Sequence, residues 1–246
     1  MLRKIDINCD LGEYYGSPMN RTDLDIMPYI SSCNIACGFH SGDPVCIQDT
    51  IVNAMTHQVK IGAHPSFPDL QGFGRRDMNL SIKELEANLL YQISAINGMV
   101  EAAGGTLHHV KPHGALYNRA AKDESYATVI MESISRINPN LMVYCLSGSS
   151  MASIAQKKGI PFKSEVFIDR QYESDLTLRS RKLNGAVLDL EKAMEQFSMF
   201  VDKSSVKVST GEVKTLQVDT VCVHSDTTDA LEMAEFACNY LNKINL

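Results

Sequence analysis

Cys33-Asn-Ile-Ala-Cys-Gly-Phe-His40, followed at once by Ser41-Gly-Asp-Pro44, is a short apolar run that ends in an imidazole and opens onto a helix start. Successive side chains of a strand point to opposite faces. The run therefore sorts Ile35, Cys37 and Phe39 onto an apolar face, and Asn34, Ala36, Gly38 and His40 onto the other. Asp43 stands where a carboxylate accepts the free N–H groups of a first helical turn, and Pro44 suits that turn. The same grammar recurs at residues 4–10, 60–64, 108–113, 141–148, 163–170 and 220–226, each ending in or next to groups that can hold a proton, a charge or an anion. Between the runs lie helix-like stretches, from Asp43 to about His57, from Ser81 to Gly104-Gly105, and near 123–137, 149–158, 189–202 and 227–243. Ser81 and Glu84 have the spacing of a capping box. Strand, loop and helix in alternation predict a parallel sheet, and closed barrels of this kind gather their chemistry at the C-terminal strand ends. The expectation is one α/β domain over residues 1–246, a TIM-barrel-like (β/α) barrel.

Parity extends this reading to every run. The apolar set, from Ile5, Ile7 and Cys9 to Val221 and Val223, is expected to pack under the helices. The other set is expected inside: Asn8 and Asp10; Asn34, Ala36, Gly38 and His40; Gly62 and His64; His109, Lys111 and His113; Glu165 and Asp169; Cys222, His224 and Asp226. A barrel lumen is ordinarily filled by Val, Ile and Leu, and unpartnered buried charges cost several kcal/mol each. A polar interior therefore points to an active site, with small Ala36, Gly38 and Gly62 leaving room for a ligand. Two irregular stretches, 65–79 and 171–185, carry Arg75, Arg76, Arg179, Arg181 and Lys182 and are expected to close over an acidic small molecule. At most one of Arg75 and Arg76 should face it. Asp6 is expected in an internal salt bridge to a lysine, His108 on the outer face, and Asp43 and Asp226 at helix starts.

Carboxylates (Asp10, Glu13, Glu165, Asp169, Asp226), imidazoles (His40, His64, His113, His224) and Lys111 suit general acid–base work or metal-assisted hydrolysis. Asp10, His40 and Asp43 are the metal-ligand candidates, and whether the lumen takes a divalent metal stays open. The chain has no Gly-x-Ser-x-Gly elbow, no Gly-x-Gly-x-x-Gly after its first strand and no phosphate loop. With a net charge of −6 and no basic block, it lacks the positive footprint of a nucleic-acid binder. No apolar run approaches the roughly 18–20 residues of a membrane span. Its seven cysteines, an odd number set mostly in strands, read as reduced thiols of a cytoplasmic protein. Cys33 and Cys37 lack a second ligand pair at zinc spacing.

Seven ordered stretches carry a resemblance: Asp6-Ile-Asn-Cys-Asp-Leu-Gly-Glu13, Asn34-Ile-Ala-Cys-Gly-Phe-His-Ser-Gly-Asp-Pro44, Ile61-Gly-Ala-His-Pro65, Asp69-Leu-Gln-Gly-Phe-Gly-Arg-Arg76, His109-Val-Lys-Pro-His-Gly-Ala-Leu-Tyr-Asn118, Ser164-Glu-Val-Phe-Ile-Asp-Arg170 and Val223-His-Ser-Asp226. On these the chain is identified as a member of the LamB/YcsF family, whose proteins are understood as the A component of bacterial ATP-dependent 5-oxoprolinase. The resemblance implies a seven-stranded (β/α) barrel of the glycoside hydrolase/deacetylase type. It also implies a hydrolase acting on a cyclic amide, opening 5-oxo-L-proline to L-glutamate with subunits B and C, which would hold most of the ATP and magnesium. In that frame Asp10 is a general base or metal ligand, and His40 and His64 are proton-transfer or ligand groups. Lys111 and His113 stabilise negative charge, and Glu165, Asp169 and His224 orient the others. Asn8, Glu13, Asn34, Arg75, Arg170 and Asp226 bind substrate, with Arg75 or Arg170 gripping its carboxylate. Asp10→Asn and Lys111→Ala are expected to remove turnover with the fold intact. The chain departs from the family pattern at Ser225, at Tyr14-Tyr15 and near Ser174-Asp175-Leu176, where a usual glycine is missing. Two alternatives stand beside this reading, a metal-dependent deacetylase or amidohydrolase acting alone and a non-catalytic substrate-binding subunit. Self-association into a homo-oligomer is left open.

Overall fold

The computed structural model describes residues 5–15 and 20–244, so Lys4, where the first apolar run begins, lies outside the described residues. In chain order the strands are β1 (Asp6–Leu11), β2 (Ser32–Ala36), β3 (Lys60–His64), β4 (His109–Val110), β5 (Met142–Leu146), β6 (Phe162–Phe167), β7 (Ser205–Lys207), β8 (Val213–Thr215) and β9 (Thr220–His224). Strands β1 to β6 and β9 close a parallel barrel, β9 pairing with both β6 and β1. Strands β7 and β8 form an antiparallel hairpin outside it.

The helices are α1 (Arg21–Ile26), α2 (Pro44–Thr56), α3 (Ile82–Ala102), α4 (Gly114–Ala120), α5 (Glu124–Ile137), α6 (Ser150–Lys158), α7 (Leu190–Lys203) and α8 (Ala230–Ile244). All the stretches expected to be helical are helical. The structure adds α1, α4 and the β7–β8 hairpin, elements too short for apolar periodicity to register. Asp43 Oδ1 accepts from the Val45 and Cys46 amides at 2.9 and 3.0 Å, starting α2 at Pro44. The capping box of α3 is complete: the Glu84 amide donates to Ser81 Oγ at 3.3 Å, and Glu84 Oε2 accepts from the Ser81 amide at 2.8 Å. Ser81→Ala should lower stability by about 1 kcal/mol and the melting temperature by about 2–4 °C. An unchanged thermal transition would show that this cap contributes nothing.

The apolar parity set, including Ile7, Ile35, Ile61, Val110, Val166 and Val221, is buried against helix residues such as Ile51, Leu85, Leu89 and Ile93. Each such side chain contributes about 1.5–3 kcal/mol on burial. The other parity set is layered by register. Asp6 pairs with Thr220, Asn8 with Ser32 and Cys222, and Asp10 with Asn34 and His224. The bottom layer is a closed network in which Asp6 Oδ2 accepts from Ser32 and Thr220, both at 2.7 Å, and Lys163 lies 3.4 Å from Asp6 Oδ1.

One expectation is corrected here. Gly62 does not leave room for a ligand, because a Cβ there would stand 2.2 Å from the His109 ring, which fills that space. His109 is buried, hydrogen-bonded to Asn34 Oδ1 at 2.7 Å and stacked on Tyr144. Neither Ala36 nor Gly38 lines the cavity that opens higher in the barrel. In the loop that lacks a glycine, Leu176 itself takes the left-handed backbone, with φ of 64°. A non-glycine residue there is strained by about 1–2 kcal/mol.

Candidate active site

The middle and upper layers surround one ammonium group. Lys111 follows β4 directly, and its Nζ lies 2.9 Å from Asp10 Oδ1, 2.9 Å from Glu165 Oε1, 3.2 Å from Asn8 Oδ1 and 3.0 Å from Cys222 Sγ. Burial by itself would lower the lysine pKa, but the Asp10 and Glu165 carboxylates outweigh it and hold the ammonium well above its ordinary value. Burial likewise works to raise Asp10, and His64 and Lys111 overcome it, keeping the carboxylate ionised. Asn34 Nδ2 donates to both Asn8 and Asp10 at 2.8 Å, and Asn8 Nδ2 donates to Glu165 at 3.0 Å. Asn8 and Asn34 are therefore buried struts that position charges, not groups lining the cavity. Tyr117, on the unanticipated α4, donates to Glu165 Oε2 at 2.7 Å. In the sequence Tyr117 stands inside the stretch 109–118 that carries the family resemblance, with no signal of this role.

Beside this cage lies an imidazole cluster. His113 ends the chain's approach to α4. A Cβ on Gly114 would meet the Gly74 carbonyl oxygen at 2.6 Å, so glycine is required for the 65–79 loop to dock against this turn. His113 Nδ1 is 3.0 Å from His64 Nε2 and 3.1 Å from Glu13 Oε1, and His40 Nε2 is 2.9 Å from the same Glu13 oxygen. Burial works to raise the Glu13 pKa, yet His113 and His40 hold it well below the usual carboxylate range. Burial, with His113 alongside, pushes His40 down to about 3, so its ring is neutral. One ligand-type atom from each of Glu13, His40, His64 and His113 lies within 4.8 Å of the others, and Asp10, Cys222 and His224 form a second such group. Asp10, His40 and Asp43 are not gathered into one group: Asp43 serves the start of α2.

His224, the last residue of β9, is aimed by Asp169, whose two carboxylate oxygens both lie 2.9 Å from Nδ1. Thr227 Oγ1 donates to Asp169 at 3.1 Å, and Phe167 stacks on the imidazole with 5.4 Å between centroids. Burial tends to raise Asp169, but His224 keeps it ionised, below its ordinary value. The proton on Nδ1 is thereby fixed, so that in the neutral ring Nε2, 3.9 Å from Asp10 Oδ2, is the accepting nitrogen.

These groups floor a cavity of about 440 Å³, lined by Asp10, His64, Lys111, His113 and His224 below and by both irregular loops above. Its rim carries Arg75, Arg170, Arg179, Arg181 and Lys182, a concentration of positive charge on an acidic chain that favours an anionic ligand. Arg170 is held by the carbonyls of Ala186 and Arg179, at 3.2 and 2.6 Å. Of the adjacent arginines, Arg75 lines the cavity and pairs with Asp226, whereas Arg76 is turned to Asp69. Asp226 thus braces the 65–79 loop across the barrel mouth. Ser225 Oγ donates to the Asp10 carbonyl at 2.8 Å and sits outside the cavity.

The chain is 46% identical over 236 residues to the 5-oxoprolinase A component of Bacillus cereus (strain B4264), covering 95% of this chain and 93% of the relative. It is 45% identical over 234 residues to the 5-oxoprolinase A component of Tolumonas auensis, with the same coverage. The crystal structure of a lactam utilization protein from Thermus thermophilus superposes with a TM-score of 0.90 at 38% identity, covering 98% of this chain and 97% of that one. The LamB/YcsF family profile matches residues 5–246, from the first described residue of the barrel to the end of the chain, and the chain therefore belongs to the LamB/YcsF family.

Proposed function

We propose that this chain is the A component of an ATP-dependent 5-oxoprolinase and performs the ring-opening half of the conversion of 5-oxo-L-proline to L-glutamate. The observation that carries this reading is full-length similarity to relatives named as the A component of 5-oxoprolinase. A small cavity with a cationic rim and an acid–base floor is what such a substrate needs. A lactam amide is a poor electrophile, and phosphorylation of its carbonyl oxygen at the expense of ATP removes that stability. The chain has no phosphate loop, so ATP with magnesium belongs to partner subunits B and C, and the activated lactam enters this barrel.

In the cavity, Arg75 and Arg181 receive the anionic groups of the substrate, exchanging their contacts to Asp226 for it. Water attacks the ring carbon as His224 Nε2 accepts its proton, with Asp169 holding the imidazolium. Asp10, kept strongly ionised, is the weaker proton acceptor and instead orients the attacking water. The caged Lys111 supplies positive potential toward the developing oxyanion. The carbon–nitrogen bond breaks as the nitrogen takes the proton from the His224 imidazolium, which leaves the γ-carboxyl as an acyl phosphate, and a second water hydrolyses that bond to give glutamate and inorganic phosphate. No helix among the described residues is long and apolar enough to cross a membrane, and we place the reaction in the cytoplasm.

Glutamate release from 5-oxo-L-proline and ATP tests this, measured with the chain alone, with candidate B and C subunits alone, and with all three. Activity only in the full mixture is expected. Equal activity of the partners alone would make the chain a non-catalytic component, and no glutamate in any mixture would overturn the reading.

A further inference from the structure

Hydrogen bonding settles the tautomers of two imidazoles. His64 Nδ1 lies 2.6 Å from the Lys111 carbonyl oxygen, and His113 Nε2 lies 2.8 Å from the Phe73 carbonyl oxygen. A carbonyl only accepts, so each of these nitrogens carries the ring's proton. In the neutral rings His64 Nε2 and His113 Nδ1 are then the lone-pair nitrogens, facing each other across 3.0 Å. The ionised Glu13 Oε1 stands 3.1 Å from the second and 3.8 Å from the first. With one proton on each ring, these two nitrogens and the Glu13 carboxylate converge as acceptors, with Asp10 Oδ2 a further 3.2 Å from His64 Nε2, an arrangement that either a shared proton or a metal ion must hold together.

We infer that Glu13, His64 and His113 bind a divalent first-row transition metal such as zinc at the edge of the cavity. Two imidazoles and one carboxylate, without thiolate, suit Zn²⁺, Co²⁺ or Mn²⁺ better than Mg²⁺ or Ca²⁺. Backbone carbonyls that fix the outer nitrogen of each ligating histidine are the usual outer shell of such sites. His40 is a positioning residue here. Its ring lies parallel to His113, 5° between planes and 3.8 Å between centroids, so the two lone pairs run side by side and cannot meet in plane at one ion. His40 Nε2 instead donates to Glu13 and orients that carboxylate. His64 and His113 line the cavity whereas Glu13 and His40 do not, and Asp10 Oδ2 stands 3.2 Å from His64 Nε2, so an ion held by these residues would border the cavity beside Asp10. When bound, the metal supplies Lewis acidity toward a substrate oxygen. The inference is independent of the lactam reading, since the site stands for any substrate of the cavity.

The test is isothermal titration of chelator-treated full-length chain with Zn²⁺ and Co²⁺, with metal content measured after dialysis and the visible spectrum of the Co²⁺ form recorded. One equivalent is expected, with a cobalt spectrum indicating nitrogen and oxygen ligands. His64→Gln combined with His113→Gln should weaken binding at least about 100-fold, His40→Gln by about 10–100-fold, and exposed His57→Gln not at all. Circular dichroism confirms folding, and the wild-type cobalt spectrum needs no variant. Absence of stoichiometric binding by the wild-type chain, or unchanged binding in the folded double variant, would overturn the inference in favour of a proton shared between the two rings. Either result leaves the glutamate assay to judge the lactam reading separately.

Discussion

Replacing His224 by glutamine should reduce glutamate release in the three-subunit mixture by about 10²–10⁴-fold, the range for loss of a positioned acid–base group. Glutamine keeps a donor toward Asp169 and an apolar stem against Phe167, so the barrel should melt within a few degrees of the parent. Asp10→Asn makes the informative comparison. An asparagine oxygen can still accept from Lys111 and Asn34, while its amide can donate to His64 Nε2, so this variant also folds. If His224 is the base, His224→Gln changes the pH dependence of turnover, whereas Asp10→Asn lowers the rate and leaves the profile's shape. A His224→Gln enzyme with full activity would remove the dyad from the mechanism.

Lys111→Ala is expected to destabilise the fold by about 3–5 kcal/mol, because it leaves the buried Asp10 and Glu165 carboxylates without their shared ammonium. At about 2–4 °C per kcal/mol for a domain of this size, the melting temperature should fall by about 6–20 °C. Lys111→Met, which fills most of the volume, should lose nearly as much if charge is the cause. A calorimetric midpoint within about 2 °C of the parent for Lys111→Met would show that the cage is held by packing instead.

The site was legible from sequence as far as alternation reaches. Parity placed Asn8, Asp10, Asn34, His64, Lys111, Glu165 and His224 on one face, and the barrel brings them together there. The salt bridge expected for Asp6 is present, with Lys163. The division between Arg75 and Arg76 also follows the expectation. Parity could not reveal which polar residue is a strut and which reaches the cavity, since that depends on depth along the barrel axis. Asn8 and Asn34 therefore emerge as supports. Glu13 lies beyond β1 and Tyr117 on a seven-residue helix, where no periodic rule applies.

What the sequence determined by itself is local: where strands alternate with helices, which face of each strand is apolar, and which side chains cap α2 and α3. These depend on backbone geometry within a few residues, and the chain writes them directly. What only the tertiary structure decided is who meets whom. The His109 ring occupies the space above Gly62, four acceptors surround one lysine, Asp43 caps α2 apart from Asp10 and His40, and two carbonyls turn the inner nitrogens of His64 and His113 toward each other and Glu13. Each of these rests on register between strands distant in sequence and on ångström-scale donor and acceptor geometry, which no local pattern encodes.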